Sequence, residues 1–540
     1  MDKSREDRWF RWTGWILFCV TLLAVVSGSW EMGYAWDEAL AYFKGSENFR
    51  EWLSQVRERI LEGQWSSLWE PAFHRKYWPL MTPENQRFFN FNGHPPLTRF
   101  FPTITWYFFH DWMGDFPSYR LSPAIIFSIA VMAVFRMMAR QFDFATGLFS
   151  ALSLLLMPRV FGHAHIAATD ITLMAFWLFS VVAFYKGLDN KRWSYGFAVL
   201  LGLAFSVKFT ALMIPLALIL YMILAREKRA WRNIILSALI SPVILLLLNP
   251  TWWVGSFSNF LDHYILASLT RGKYFPIAVY YLGEVYPAHA PWHHPLVMTA
   301  VTVPAFILLF ILMGGVFSIR QRADRWVLLL LSQVIFYYGV LVLTISPDYD
   351  GVRLFLPVFP FLACLAGLGF RGMRDWAIDH RDRWPEWLNR QGKERMVALV
   401  FLFVFFWPAV RLVAIHPFYL SYYNGLVGGV GGANRLGFET TYWFDTLTAT
   451  ARKEINKLPP NARVGFFPGI DLYSEYLQKS GLLGKDLVIT KNNFDYMVLM
   501  PRVSMIVQSP FLWHWFMNEK PYYVIVEDGV PMIMIYKKEH

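Results

Sequence analysis

Charged residues are scarce in this chain: they make up only 16% of its 540 residues, whereas 56% are hydrophobic. A soluble domain of this length needs far more polar surface, so the composition excludes a soluble globular protein. Cysteine is almost absent. The two cysteines, Cys19 and Cys364, both lie inside apolar runs, so the sequence does not indicate a disulfide framework. The composition therefore predicts a polytopic membrane protein.

Several common signatures are also missing. The glycine-rich stretch 428–433 follows no predicted strand and lacks the Lys-Ser/Thr pair of a phosphate-binding loop, so we interpret it as a flexible join. The histidines of 289–294 match no tetrahedral zinc pattern and have no cysteine partner. We therefore predict no metal and no cofactor. No internal repeat stands out, which disfavours a transporter built from inverted halves.

The net charge of +11 does not indicate nucleic acid as a partner, because the basic residues form short clusters between apolar runs. With a cytoplasmic N-terminus, these clusters fall on alternate connections, as the positive-inside rule requires. The stretch 99–110 is short for a span, and we interpret it as a shallow or re-entrant helix. About eleven apolar segments are long enough, or nearly so, to cross a bilayer: 13–30, 118–139, 145–158, 171–187, 193–207, 209–225, 231–249, 296–318, 326–345, 354–370 and 396–414.

The end of the chain has a different pattern. Short apolar runs typical of strands alternate with helical patterns; the runs are 463–467, 487–490, 496–500, 522–526 and 532–536. The pair Asp528-Gly529 between two of these runs predicts a tight hairpin. We predict an all-α transmembrane domain over 1–414, with an outer catalytic loop at 31–117, and a small α/β domain outside the membrane over 415–540.

Carboxylates lie at the outer ends of two predicted spans. Asp37 and Glu38 follow the first span, and Asp170 precedes the apolar segment that starts at Ile171. Adjacent residues of a helix point about 100° apart, so we expect one of Asp37 and Glu38 to face a site. The alternative is that these carboxylates only cap the helices that follow them. We predict Asp37, Glu38 and Asp170 as catalytic candidates.

Two cations lie on the same predicted face. Lys208 stands between two nearly continuous apolar runs, where a cation is costly unless it pairs or snorkels. Arg353 begins another span. Both suit the binding of a lipid phosphate, and ordinary snorkelling is the alternative.

A sugar carried on a polyprenyl phosphate is a substrate that matches these residues. The polyprenyl tail belongs in the bilayer, the phosphate at the interface and the sugar outside the membrane. The leaving phosphate needs neutralising cations such as Lys208 and Arg353. The acceptor hydroxyl needs a carboxylate base, which Asp37 can supply. Attack opposite to the phosphate would invert the anomeric centre.

The order and sidedness of four short motifs resemble the membrane glycosyltransferases of the GT-C class. The motifs are Asp37-Glu38, His94-Pro95-Pro96-Leu97, the stretch 159–170, and Arg353-Leu-Phe-Leu-Pro-Val-Phe-Pro. The nearest groups are the family 39 protein O-mannosyltransferases and the bacterial aminoarabinose transferases of lipid A. The resemblance implies a dolichyl- or undecaprenyl-phosphate donor of a hexosyl or pentosyl group, Asp37 as base and Asp170 as a second acidic residue. It also implies that His94, which is lysine in some relatives, and Arg159 lie near the donor phosphate.

The predicted function is inverting transfer of a sugar from a polyprenyl-phosphate donor to a hydroxyl of a lipid, glycan or protein acceptor. We expect membrane lipids but no nucleic acid as further partners, and the bacterial inner membrane as the location. Two alternatives stay open. A lipid-linked oligosaccharide polymerase or ligase would share the architecture but use a diphosphate donor. A transporter or flippase would use Lys208 and the carboxylates as a path, although these carboxylates cluster at one face rather than at mid-membrane.

Overall fold

In the computed structural model, the described residues are 3–70, 73–74, 76, 94–249, 253, 277–320, 324–343, 347–380, 393–469 and 471–538. Most of them are helical. The helices of the first three-quarters of the chain are α1 Lys3–Gly28, α2 Lys44–Leu61, α3 Leu97–Met113, α4 Asp115–Gln141, α5 Phe144–Leu155, α6 Pro158–His163, α7 Thr169–Gly187, α8 Lys191–Phe205, α9 Met213–Leu224, α10 Trp231–Leu247, α11 His294–Thr302, α12 Ala305–Arg320, α13 Arg325–Val342, α14 Phe359–Asp379 and α15 Lys393–Ala414. A two-stranded hairpin, β1 Val279–Tyr281 and β2 Glu284–Tyr286, lies between α10 and α11.

Six helical segments of the described residues are long and apolar enough to cross a bilayer, and the protein is an integral membrane protein. These segments are Trp9–Gly28, Asp115–Gln141, Thr169–Gly187, Arg325–Val342, Arg353–Asp379 and Val397–Ala414. Four shorter apolar segments are also helical: Phe144–Leu155, Phe209–Leu224, Trp231–Leu247 and Ala305–Arg320. The number of eleven spans stays a prediction. The apolar run 296–318 is divided into α11 and α12 at Pro304, which has no amide hydrogen to continue a helix.

Glycines allow a close contact between two helices of the membrane part. Where α12 crosses α14, a Cβ on Gly314 would collide with the Leu365 carbonyl, and one on Gly369 with the Phe310 carbonyl. Glycine at both positions therefore lets the two backbones touch, as is common between membrane helices. This contact helps to fix α14, the helix that continues from Arg353.

Two helices, α2 and α3, follow the first span. Helix α2 is amphipathic, because Phe49 and Trp52 are buried whereas Arg57 and Glu58 are exposed. The short helix expected over 99–110 is confirmed within α3. Its exposed side chains include Tyr107, Phe108 and Trp112.

The last part of the chain forms a five-stranded sheet of order β4-β3-β5-β7-β6. Strand β3 pairs in parallel with β4 and β5, and β7 pairs antiparallel with β5 and β6. The predicted hairpin is confirmed, since Asp528 and Gly529 both have positive φ between β6 and β7. The elements of this region are α16 Gly429–Arg435, α17 Ala449–Ile455, β3 Arg463–Phe467, α18 Asp471–Lys479, β4 Val488–Ile489, β5 Tyr496–Leu499, α19 Val503–Ile506, α20 Pro510–Asn518, β6 Tyr523–Glu527 and β7 Val530–Lys537.

The glycine-rich stretch differs from the expected flexible join. It forms the short helix α16, with Val430 and Ala433 buried. The amide of Gly431 donates a hydrogen bond of 3.0 Å to the carboxylate of Asp528. Small residues here allow close packing against the β6–β7 turn, so the stretch joins the sheet firmly to the membrane part.

One face of the sheet packs against the segment after α1. Backbone hydrogen bonds join this segment to the chain before α17, from the Gly33 amide to the Asp445 carbonyl at 3.0 Å and from Trp36 to Trp443 at 3.1 Å. A hydrophobic cluster continues the contact; it includes Tyr34, Phe43, Phe116, Val464, Val498 and Ile533. The C-terminal sheet is thus packed directly beside Asp37.

Candidate active site

Asp37 lies immediately before a short π-helical turn, Glu38–Phe43. Its side chain makes no capping hydrogen bond, so the capping alternative is wrong for Asp37. Instead, its Oδ2 atom accepts a hydrogen bond of 2.9 Å from Nη2 of Arg353. The Asp37 side chain is 26% exposed. It therefore combines an ion pair inside the protein with access from outside.

Asp170 and Lys208 form a buried pair. Asp170 lies in the first turn of α7, whose N-cap is Ala168, so Asp170 is not the capping residue either. Lys208 lies in an extended break after α8, with φ −156° and ψ 144°. Its Nζ atom donates to Asp170 Oδ1 at 2.7 Å, and both side chains are buried. Lys208 is therefore paired within the protein rather than snorkelling to the interface.

Arg353 joins the two catalytic candidates. Its Nε donates to Asp170 at 3.1 Å, Nη1 to Asp350 at 2.8 Å and Nη2 to Asp37 at 2.9 Å. Its Cζ atom lies 3.5 Å from the centre of the Trp443 ring, a cation–π contact. Three carboxylates and an indole ring thus surround one guanidinium group.

Asp350 extends the charge network into the C-terminal region. Its other oxygen, Oδ1, lies 2.9 Å from Nη2 of Arg502, and both side chains are buried. The network therefore contains three carboxylates and three cations. Cations and carboxylates alternate along it in the order Lys208, Asp170, Arg353, Asp350 and Arg502. Asp37 is bound to Arg353 as a side branch. The fixed charges of this network cancel when all six groups are ionised.

Glu38 points elsewhere, as expected for a residue adjacent to Asp37. It is fully buried and accepts from Nε and Nη2 of Arg120 at 2.9 and 2.6 Å. Arg120 also donates to three backbone carbonyls in the segment just after α1, those of Ser29, Met32 and Gly33. The structure therefore does not bring Glu38 together with the other predicted catalytic residues.

The other two predicted phosphate ligands lie at the edge of the network. The ring of His94 is 5.4 Å from that of Phe209, the residue next to Lys208. Arg159 is buried and donates to the Tyr422 carbonyl at 2.9 Å and the Tyr442 hydroxyl at 3.2 Å. Among the residues that the structure describes, no carboxylate forms an ion pair with Arg159, and its Nη2 has no hydrogen-bond partner. A narrow cavity beside Arg159 is lined in part by Asp350 and Trp443.

Two further titratable groups lie close to this network. Burial raises the pKa of Asp445 to about 6, and its Oδ2 atom has no hydrogen-bond partner in the described part of the chain. Burial lowers the pKa of His163 to about 3, so this ring is neutral beside the cations of the site. The described residues include no group of three or more His, Cys, Asp or Glu side chains suited to hold a metal ion.

The fold is similar to that of ArnT from Cupriavidus metallidurans bound to undecaprenyl phosphate. The two chains are 15% identical with a TM-score of 0.50, over 99% of this chain and 98% of that chain. The archaeal oligosaccharyltransferase AglB from Archaeoglobus fulgidus, in complex with an inhibitory peptide and a dolichol-phosphate, is 12% identical with a TM-score of 0.50, over 91% of this chain and 69% of that chain.

The chain has the GT-C fold. The expected fold class is therefore confirmed: a helical membrane part with a small C-terminal sheet. Residues 93–253 match the sequence model of the dolichyl-phosphate-mannose-protein mannosyltransferase family. This match includes His94, Arg159, Asp170 and Lys208. No curated protein sequence matches the chain.

Within this GT-C fold, three residues of the network were missed by the sequence analysis: Asp350, Trp443 and Arg502. Asp350 had a usable signal, because it stands three residues before Arg353, a spacing at which one turn of chain brings two side chains together. Arg502 and Trp443 come from distant parts of the chain and stand in no recognisable motif. Their place in the site follows from tertiary packing alone.

Proposed function

We propose that this protein transfers a sugar from a polyprenyl-phosphate donor to an acceptor hydroxyl at the outer face of the membrane, with inversion at the anomeric carbon. The observation that carries the proposal is the meeting of a partly exposed carboxylate, Asp37, with the buried cations Arg353 and Lys208 around Asp170. Such an arrangement provides a base for the acceptor beside positive charge for a phosphate leaving group. The fold supports the proposal, since structures of ArnT bound to undecaprenyl phosphate and of AglB in complex with a dolichol-phosphate have been solved.

In the proposed reaction, the acceptor oxygen attacks the anomeric carbon and its proton passes to the carboxylate of Asp37. The bond between the anomeric carbon and the phosphate oxygen breaks, and its electron pair stays on the phosphate. Arg353 and Lys208 neutralise that charge as it develops. Asp170 holds both cations, through its two oxygens, at the distances seen here. Asp170 is therefore proposed to orient the phosphate-binding groups rather than to transfer the proton.

Donor binding must change the contacts of Arg353, because all three nitrogens of its guanidinium already donate to carboxylates. Asp170 is also paired with Lys208, and Asp350 with Arg502. In the described part of the chain, Asp37 has Arg353 as its sole cationic partner, and it is also the most exposed of the three carboxylates. We therefore propose that the phosphate takes the place of Asp37 on Arg353.

This exchange has a chemical advantage. Without a donor, the Oδ2 atom of Asp37 accepts a hydrogen bond from Nη2 of Arg353. When the phosphate occupies Arg353, this oxygen is released and becomes available for the proton of the acceptor hydroxyl. The carboxylate is thus freed at the moment when the donor is bound beside it.

The finer parts of the proposal follow the sequence analysis. We propose that 31–117 is the outer catalytic loop, that the membrane domain covers 1–414, and that 415–540 is an extracytoplasmic domain. The N-terminus is then cytoplasmic, with the bacterial inner membrane as the location. His94 and Arg159 are proposed to lie near the donor phosphate, and Glu38 to support the Asp37 turn through Arg120.

The test is transfer from a panel of polyprenyl-phosphate sugars by the purified protein in detergent, with the Asp37→Asn variant beside it. We expect wild-type protein to release polyprenyl phosphate from one donor. Asp37→Asn should lower this turnover by about 100-fold or more, the scale typical of losing a general base. Turnover of diphosphate-linked glycans alone would indicate a polymerase or ligase instead. No turnover of any donor, combined with lipid movement in proteoliposomes, would favour a transporter.

A further inference from the structure

A buried arginine of the C-terminal region reaches the edge of the candidate site. Arg502 follows β5 and is only 1% exposed. Its Nη1 donates to the Tyr442 carbonyl at 2.7 Å, Nε donates to the Ser504 hydroxyl at 3.2 Å, and Nη2 lies 2.9 Å from Asp350 Oδ1. Two nitrogens of the guanidinium thus donate hydrogen bonds and the third forms an ion pair, and these contacts restrain its orientation.

Asp350 stands between two arginines. One oxygen faces Arg502, and the other accepts from Arg353 Nη1 at 2.8 Å. Its backbone is left-handed, with φ 60°, and Gly351 follows with φ 65°. This tight bend turns the Asp350 carboxylate back towards Arg353. Moving this carboxylate away from Arg502 is costly, because Arg502 is buried and Asp350 is its ion-pair partner among the described carboxylates.

The segment that carries Arg502 is itself anchored. The carboxylate of Glu439 accepts from the amides of Val503 and Ser504 at 2.7 and 2.9 Å. Glu439 and Asp350 both line a small cavity between the C-terminal region and α11. The C-terminal sheet therefore holds Arg502 at a defined point, and Arg502 in turn holds Asp350.

We propose that Arg502 is a positioning residue for the transfer reaction: by holding Asp350, it sets the guanidinium of Arg353 at which the donor phosphate binds. This inference rests on the proposed function. It makes the C-terminal domain a part of the active site, in addition to any contact with the acceptor. Without Arg502, both Asp350 oxygens are free to turn onto Arg353 and draw it away from Asp37 and Asp170.

The experiment compares Arg502→Gln and Arg502→Lys with a matched control, Arg452→Gln. Arg452 is also a buried arginine of this region, but its Nη1 donates to the Leu447 carbonyl and it forms no ion pair with a described carboxylate. For each variant we would measure kcat, the KM of each substrate, and the thermal midpoint in detergent. Arg502→Gln should lower kcat/KM for the donor up to about 100-fold, the effect of an error of about 1 Å in positioning, without changing the acceptor KM. Arg502→Lys should restore part of this loss.

The control separates positioning from folding. All activities are measured well below the thermal midpoint of every variant, and Arg452→Gln should keep turnover within a few-fold of wild type. If the two variants lose donor kcat/KM equally, Arg502 has no special role and the proposal is wrong. A loss in Arg502→Gln that appears only in the acceptor KM would also overturn it.

A double-mutant cycle with Asp350→Asn tests the route of the effect. If Arg502 acts through Asp350, the double variant should be as active as the less active of the two single variants. If the two residues act independently, the fold losses in activity of the single variants should multiply. Multiplied losses would overturn the proposal.

Wild-type turnover in the same assay tells the two proposals apart. If wild type transfers sugar and Arg502→Gln behaves as the control does, only the role of Arg502 fails. If wild type transfers nothing, the proposed function fails, and binding of undecaprenyl phosphate, measured by native mass spectrometry, decides on Arg502. Equal binding by Arg502→Gln and wild type, or no binding by either, would then overturn its role at the phosphate site.

Discussion

Replacement of Asp37 by Asn should have opposite effects on binding and on transfer. The ion pair between Arg353 Nη2 and Asp37 Oδ2 is 2.9 Å long, and in the proposed exchange the phosphate of the donor breaks it to reach Arg353. Asn has nearly the same shape but no charge, so it competes less strongly for Arg353. The variant should therefore bind a lipid phosphate more tightly than wild type does, although it transfers sugar poorly.

The size of the effect follows from the exposure of the pair. A hydrogen bond to a charged group contributes about 1.5 to 3 kcal/mol, and the 26% exposure of Asp37 places this one at the lower end because solvent screens it. A change of about 1.4 kcal/mol corresponds to a tenfold change in Kd. We therefore expect undecaprenyl phosphate to bind Asp37→Asn about tenfold more tightly.

The assay is a titration of undecaprenyl phosphate into protein in detergent, with binding followed by native mass spectrometry. Asp115→Asn is the matched control, because Asp115 is an exposed carboxylate at the start of α4 whose described partner is the Trp106 indole. It removes the same charge from a site that does not contact Arg353, and it should leave Kd within about twofold. Equal or weaker binding by Asp37→Asn would refute the exchange of Asp37 for phosphate.

Two further predictions concern stability. Glu38→Gln leaves the fully buried Arg120 without its carboxylate and should lower the free energy of unfolding by about 3 to 5 kcal/mol. Lys457→Ala breaks an exposed pair with Glu454 and should change the free energy of unfolding by less than about 1 kcal/mol. Both are measured by denaturation in detergent, and similar losses would contradict the buried-pair argument. Asp445 has a folded-state pKa of about 6 against an ordinary value of 3.8, so the folded state binds its proton more tightly. The protonated carboxyl of Asp445 therefore stabilises the folded state by about 3 kcal/mol below pH 4, and this stabilisation is lost as the pH rises through 6. The difference in thermal midpoint between wild type and Asp445→Asn should change over this range, and a constant difference would argue against the raised pKa.

Much of the fold could be predicted because membrane helices and short strands leave strong local patterns. The apolar run 171–187 became α7 within two residues of its predicted start, and 463–467 became β3 with the same bounds. The length of an apolar run indicates a membrane helix, and the alternation of apolar and polar residues indicates a strand, and both can be recognised from neighbouring residues alone. The break at Pro304 was not predicted, since the run around it is apolar throughout.

The site could be predicted only in part. Four site residues could be predicted because the predicted topology places them on the same face of the membrane: Asp37, Asp170, Lys208 and Arg353. The structure brings these four together. The sequence could not say which of Asp37 and Glu38 faces the site, because that depends on the position of Arg120. The roles of all these residues in catalysis stay predictions.

The backbone pairing of residues 33–36 with 443–445 also bears on how the protein is made. Asp37 leaves the ribosome early, but the strand of chain that fixes it, and the Trp443 ring beneath Arg353, are synthesised some four hundred residues later. Chains grow from the N-terminus at about 5 to 20 residues per second. A nascent chain therefore carries an unassembled site for tens of seconds after α1 has emerged, and the proposed glycosyl transfer must wait until residues 443–445 have been synthesised.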